Sequence, residues 1–346
     1  MKKMLALLLA LVMVLSLAAC ASSQPDAAAS TETAETTETT EPAAEESAEA
    51  PAESGKTYTV GVCQLVQHEA LDAATQGFID ALKEELGDAV TVDVQNASGD
   101  SVNCGTIVNG FVSKGVDLIM ANATPALTAA VSATADIPIL GTSITAYGVA
   151  LDIDDFNGTV GGNVSGTSDL ADLQAQAQMI LDWFPETKTV GLLFCSAEPN
   201  SRYQIDEVRK ALEAQGVTCE EFAFTDSNDV SSVTQKAADF SDVVYIPTDN
   251  TAASNTEAIA NVLIPAGVPA ICGEEGLCRG CGVATLSISY YDLGVTTGKM
   301  AAKILKGEAD ISTMPVEYTD ATPKYNASVC EQLGITPLDG YEAIDG

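Results

Sequence analysis

One local pattern occurs twice in this chain and limits what it can fold into. The stretch Thr189–Gly216, TVGLLFCSAEPNSRYQIDEVRKALEAQG, opens with an apolar, β-branched run, Thr189–Cys195, long enough for a buried strand and too short for a helix. A polar break containing Pro199 follows. Ile205, Val208 and Leu212 then recur at helical spacing, and Gly216 closes the unit. The same order stands earlier, where Thr59–Cys63 is followed by a polar turn, then Leu71, Ala74, Phe78, Leu82 and Leu86, then Gly87. Two halves opened by one strand–loop–helix unit predict two similar α/β lobes with something held between them.

The alternation continues. Strands are predicted at 58–63, 90–95, 116–120 and 137–140, with helices at about 69–86, 101–114 and 125–134 between them. Further on come helix 170–183, strand 189–195, helix 202–214, strand 217–223, helix 230–239, strand 242–246 and helix 252–264. Strands at 268–272 and 282–286, helix 291–305, a strand near 316–319 and a short helix near 326–333 complete the series. Such alternation is the pattern of parallel sheets covered on both faces. Gly158–Gly166 (GTVGGNVSG) reads as a crossing between lobes. The predicted lobes are 56–165 with about 287–315, and 166–286 with about 316–346.

The first twenty residues stand apart. Lys2 and Lys3 precede an apolar run from Met4 to Leu15, shorter than the about 20 residues a membrane span needs and suited to a secretory signal. It ends in Leu17-Ala18-Ala19-Cys20, which resembles the bacterial lipobox, whose cysteine becomes the lipidated N-terminus. An ordinary signal peptide with a coincidental cysteine is the plainer alternative. Residues 21–55 are almost wholly Ala, Glu, Thr, Ser and Pro. That composition cannot bury enough apolar surface to offset its ordering entropy, so the segment is predicted to be a disordered acidic tether.

Charge narrows the function. Of the 49 acidic residues 9 precede Lys56, which leaves the globular part with 40 acids against 13 bases, a formal −27. Nucleic-acid binding needs basic residues to neutralise phosphates and is excluded as a partner class. Adhesion of a protein face to anionic lipid is excluded likewise, so membrane attachment would come through the lipid on Cys20. Eight cysteines follow Cys20. In an exported chain they permit disulfides, Cys278 and Cys281 first among them, but several lie within apolar strand patterns and read equally as buried thiols. No metal or other cofactor is expected.

In open parallel sheets ligands bind beyond the carboxyl ends of the strands. The loops there are rich in Ser, Thr, Asn and Asp and poor in general bases, with His68 the single histidine of the chain. No nucleophile elbow, phosphate loop or zinc-type histidine pair occurs, so no enzyme is expected. Glu198-Pro199-Asn200-Ser201 opens a helix and offers N–H, amide and hydroxyl donors to an anion. Pro247-Thr248-Asp249-Asn250 ends a strand of the same lobe, with an aspartate able to accept from an ammonium. Together they suit a zwitterion. The same residues are good helix caps, and the two roles are compatible.

These loops closely resemble those of ABC-transporter substrate-binding proteins of the tryptophan/tyrosine type. The segments are Gln67–Asp72, Ala123–Ala126, Ser165–Asp169, Ala197–Ser201, Ile246–Asn250, Gly273–Gly276 and Ser289–Gly294, and the likeness runs over essentially all of 57–335. The resemblance implies a type I periplasmic-binding-protein fold, two Rossmann-like lobes joined by a three-stranded hinge. It implies ligand contacts from Thr124, Thr167, Ser168, Asn200, Ser201 and Asp249, with Gln64 and His68 at the side-chain end. Ser143 and Thr145 are candidates in a loop where relatives commonly show Thr-Asp-Pro. The implied partners are a small solute, an amino acid before a nucleoside or sugar, and an ABC permease with its ATPase. The implied location is the outer face of the cell membrane. A sensory lipoprotein presenting its ligand to a receptor is the rival reading.

Overall fold

The computed structural model describes residues 56–344, and the signal, lipobox and tether predicted before Lys56 lie outside them. Strands β1 (Tyr58–Gln64), β2 (Val90–Asn96), β3 (Leu118–Asn122), β4 (Ile139–Ile144) and β5 (Val164–Ser168) alternate with helices α1 (Glu69–Leu86), α2 (Ser101–Lys114), α3 (Thr124–Ala133) and α4 (Tyr147–Ala150). The next run is α5 (Leu173–Trp183), β6 (Thr189–Cys195), α6 (Pro199–Glu213), β7 (Thr218–Phe224), α7 (Val230–Phe240), β8 (Val243–Ile246), α8 (Asn250–Ala253), α9 (Thr256–Ala266), β9 (Ala270–Cys272), α10 (Glu275–Cys281) and β10 (Ala284–Ser287). After it come α11 (Tyr290–Leu305), β11 (Glu317–Tyr318), β12 (Thr322–Tyr325), α12 (Ala327–Leu333) and β13 (Glu342–Ala343).

Two sheets result. The first has the order β11-β5-β4-β3-β1-β2 and is parallel throughout. The second has the order β13-β12-β10-β9-β8-β6-β7 and is parallel except where β10 meets β12. Each sheet carries an apolar core on both faces, which is why its inner strands are buried along their whole length. Among the described residues no helix is long and apolar enough to cross a membrane.

The chain passes between the sheets three times, after Ser168, after Ser287 and after Tyr318. The first passage follows β5, so residues 166–168 pair within the first sheet, and β11 also joins that sheet beside β5. The sequence pattern had placed both with the second lobe. Val164-Ser165-Gly166-Thr167-Ser168 hides its strand character because its burial rests on small polar residues. Gly166 is required there: its φ is 143°, and a side chain would collide with the Gly141 backbone of β4. α11 returns from the second sheet to lie on α1 of the first lobe, and Gly294 lets the Ala74 carbonyl approach where any Cβ would overlap it.

Candidate ligand-binding cleft

The carboxyl ends of the two sheets face each other across a small inner cavity. From the first lobe it is lined by His68, Leu71, Ser143 and Thr145. Asn200, Thr248, Asp249, Asn250, Ala253 and Glu274 line it from the second, and Asp169 and Tyr290 stand where the chain crosses. Space for water centres is only about 10 Å³, close to that of one water molecule. Asn250 also borders a wider groove, between the β2 and β7 edges of the cleft, that offers about 350 Å³ to water.

The second-lobe wall is built around the N-terminus of α8. Glu198, buried, accepts from Asn250 N at 3.0 Å, Asn250 Nδ2 at 2.7 Å, Thr251 N at 2.9 Å and Thr251 Oγ1 at 2.8 Å. Asp249 accepts from Cys195 N at 2.6 Å with one oxygen and from Ala252 N at 2.8 Å with the other. Two internal carboxylates thus occupy the place where a helix start would attract an outside anion. Glu274 does the same for α10, accepting from Gly276 N and Leu277 N at 2.6 and 2.5 Å.

Three of these buried acids have raised pKa values. Burial pushes Asp169 up to about 6, with the hydroxyls of Tyr290 and Thr145 acting against it. Burial pushes Glu274 up to about 7, and burial together with the neighbouring Glu198 pushes Asp249 up to about 8. His68 moves the other way, its pKa lowered by burial. Among the described residues no lysine or arginine lines the inner cavity, so its charge is one-sided.

Side chains bridge the lobes at the rim. His68 Nε2 lies 3.2 Å from Asn250 Oδ1. Arg279 of α10 pairs with Glu69 of α1 and, at 2.8 Å, with Glu275, whose other oxygen accepts from Lys324 Nζ at 2.6 Å. Of these ion pairs only Arg279–Glu69 joins the two lobes, and, being solvent-exposed, it adds little stability.

The sequence candidates divide accordingly. His68, Ser143, Thr145, Asn200 and Asp249 line the inner cavity. Gln64 is buried and spends its amide on Val66 O, Asp72 and Thr75. Thr167 bonds Thr142 and Thr297, and Ser168 donates to Thr145 O, so both brace the wall. Thr124 and Ser201 are buried at the starts of α3 and α6. Asp169, Glu274 and Tyr290, which the sequence reading did not name as contacts, line the cavity as well. All eight described cysteines are free thiols, and among the described residues no cluster of ligands suits a metal ion.

The family profile described as "ABC transporter substrate binding protein" matches residues 59–340. The chain belongs to this family. A tyrosine-binding protein of Clostridioides difficile (strain R20291) is 33% identical over 276 residues, 78% of this chain and 79% of the relative. The structure of an ABC domain in complex with L-Trp from Streptococcus pneumonia, 32% identical, covers 83% of this chain and 100% of its own, with a TM-score of 0.79. A substrate-binding protein with adhesive properties from Clostridium difficile, in its ligand-free, open structure, is 33% identical and covers 84% and 99%, with a TM-score of 0.64. At nearly equal identity this substrate-binding protein superposes better overall on the ligand-bound relative than on the open one. The two parallel-sheet lobes and three crossings are those of the type I periplasmic-binding-protein fold.

Proposed function

We propose that this chain is a lipid-anchored, extracytoplasmic receptor that captures a small zwitterionic solute, an amino acid, aromatic ones included, and delivers it to an ABC importer. The observation that carries the reading is the one-sided charge of the inner cavity: its lining has buried acids and neither lysine nor arginine, so a cationic ligand group can stand where these acids otherwise hold protons. The relatives named for tyrosine and bound to L-Trp favour an amino acid as that ligand. The inner cavity is too small for a whole amino acid, so its charged head sits there and the remainder extends past Asn250 toward the groove. Entry requires the lobes to part about the three crossings, and closure then excludes water from the charged groups. The chain breaks no bond; the permease reads its closed form.

A thermal-shift panel of amino acids, nucleosides and sugars on the protein, unfolded and refolded to strip bound solute, tests the cargo. A ligand that binds only the folded state raises the midpoint by mass action, by roughly 2.7 kcal/mol of stability at a hundredfold excess over Kd. One or a few amino acids are expected to do so; a response to sugars or nucleosides alone would discard the amino-acid reading. For the anchor, mass spectrometry of the membrane fraction is expected to find a mature N-terminus at lipid-modified Cys20. Any other N-terminus removes the anchor.

A further inference from the structure

Asp169 follows β5 directly and is 5% exposed. Its Oδ2 accepts from Tyr290 Oη at 2.9 Å, while Oδ1, equally buried, has no hydrogen-bond partner. On the opposite lobe Asn200, 4% exposed, directs its amide nitrogen to Thr248 O at 3.1 Å and to Glu198 at 3.3 Å, and its Oδ1 is likewise unpartnered. Both residues line the inner cavity. A buried acceptor without a donor costs free energy, and such groups in native structures call for an explanation. Here two of them, one from each side of the cleft and one of them a carboxylate, border a space lined by neither lysine nor arginine, its one imidazole, His68, having its pKa lowered by burial. Asp249 is placed differently. Both its oxygens are engaged by backbone N–H groups, Cys195 on one side and Ala252 on the other, so it caps α8 and ties that helix to β6.

We infer that Asp169 Oδ1 and Asn200 Oδ1 form the seat for the ligand's primary ammonium, with Asp169 as its counter-charge, and that Asp249 shapes the wall behind it. The inference rests on the amino-acid reading above and sharpens it. An ammonium has three donors; two would meet these acceptors, one from each lobe, so binding it draws the lobes together. Ser143 supports the arrangement. It too lines the cavity, its Oγ is buried without a partner, and its backbone is held at φ 56°, a strained conformation for a serine that keeps a hydroxyl free for the other end of a zwitterion.

The test is titration calorimetry of the stripped wild type, Asp169→Asn, Asn200→Leu and Asp249→Asn with the twenty L-amino acids, with putrescine, and with the deaminated counterpart of each amino acid that binds. For whichever amino acid binds the wild type, Asp169→Asn is expected to weaken binding at least thirtyfold and Asn200→Leu about tenfold. The wild type is expected to prefer the amino acid over its deaminated counterpart at least a hundredfold, and Asp169→Asn to lose most of that preference. Asp249→Asn is expected to lower the melting midpoint while the preference for the amine survives. Binding within threefold of wild type in Asp169→Asn, or loss of the amine preference in Asp249→Asn alone, would overturn the seat and leave the amino-acid function standing. Should Asp169→Asn not fold, the Asn200→Leu affinity and the wild-type preference decide in its place. If neither an amino acid nor putrescine binds the wild type, the seat and the amino-acid reading fall together.

Discussion

Replacing Glu198 by alanine is expected to lower the thermal midpoint by roughly 5–15 °C and to weaken capture of any solute held in the inner cavity. Glu198 precedes Pro199 at the start of α6 but makes no cap for its own helix. It reaches across instead to the start of α8, where two backbone N–H groups, an amide and a hydroxyl converge on its two oxygens, and Asn200 Nδ2 adds a weaker contact. Deleting the carboxylate strands these donors inside the protein. Each unsatisfied buried group costs on the order of 1–3 kcal/mol, and water entering the vacated space recovers part, so a net loss of roughly 3–5 kcal/mol is expected. The effect reaches the cavity because Asn200 and Asn250 both line it and both are held by Glu198. Glu198→Gln keeps the volume and one acceptor but turns an NH₂ toward N–H groups, and should fall between. Calorimetric melts of the three proteins check this; an alanine variant melting within 2 °C of wild type would mean that the network carries little of the wall.

The long periodic elements of this fold were legible from residue spacing, because a buried strand followed by an amphipathic helix leaves a one-dimensional trace. Elements whose burial does not rest on large apolar residues left none. β5 is Val-Ser-Gly-Thr-Ser, β4 runs on through the polar Thr142 and Ser143, and α10 carries Gly276 and Gly280 in a stretch that reads as a loop. β12 and β13 are short strands at one end of the second sheet, too brief for alternation to develop. At the cleft, the strand ends were readable as the place to look. The division of labour among the acids was not, because caps and ligand contacts use the same residue types. Asp249 is engaged by an N–H group 54 residues away, and Asp169 keeps a free oxygen because Tyr290, 121 residues away, takes only the other. Such pairings exist only once distant stretches of the chain have folded together.

Those same acids give the stripped protein an expected pH dependence of stability opposite to that of a protein held by surface ion pairs. Asp169, Glu274 and Asp249 have folded-state pKa values of about 6, 7 and 8, above the roughly 4 they would have in an unfolded chain. Between pH 4 and pH 8 the folded state therefore holds protons that the unfolded state has released. The slope of stability with pH is then negative: the contribution is whole below about pH 4 and is lost as pH rises through 6, 7 and 8. The charged neighbours act in the same sense, Glu198 on Asp249, and Glu69 and Glu275 on Glu274. His68 opposes them, since burial lowers its pKa and an unfolded histidine takes up a proton below about 6.5, so its contribution grows as pH rises to that point. One group stands against three, and a shift of about two units in a single acid is worth about 3 kcal/mol. The midpoint of the stripped protein is expected to be highest near pH 5 and to fall steadily to pH 8.5. Saturation with an amine-bearing ligand should flatten the fall near pH 6, because an ammonium beside Asp169 favours its ionised form. Scanning calorimetry across that range decides: a midpoint that is level or rises from pH 5 to pH 8.5 would show that the three acids are ionised in the closed cleft, and that it holds negative charge without a proton or a ligand to balance it.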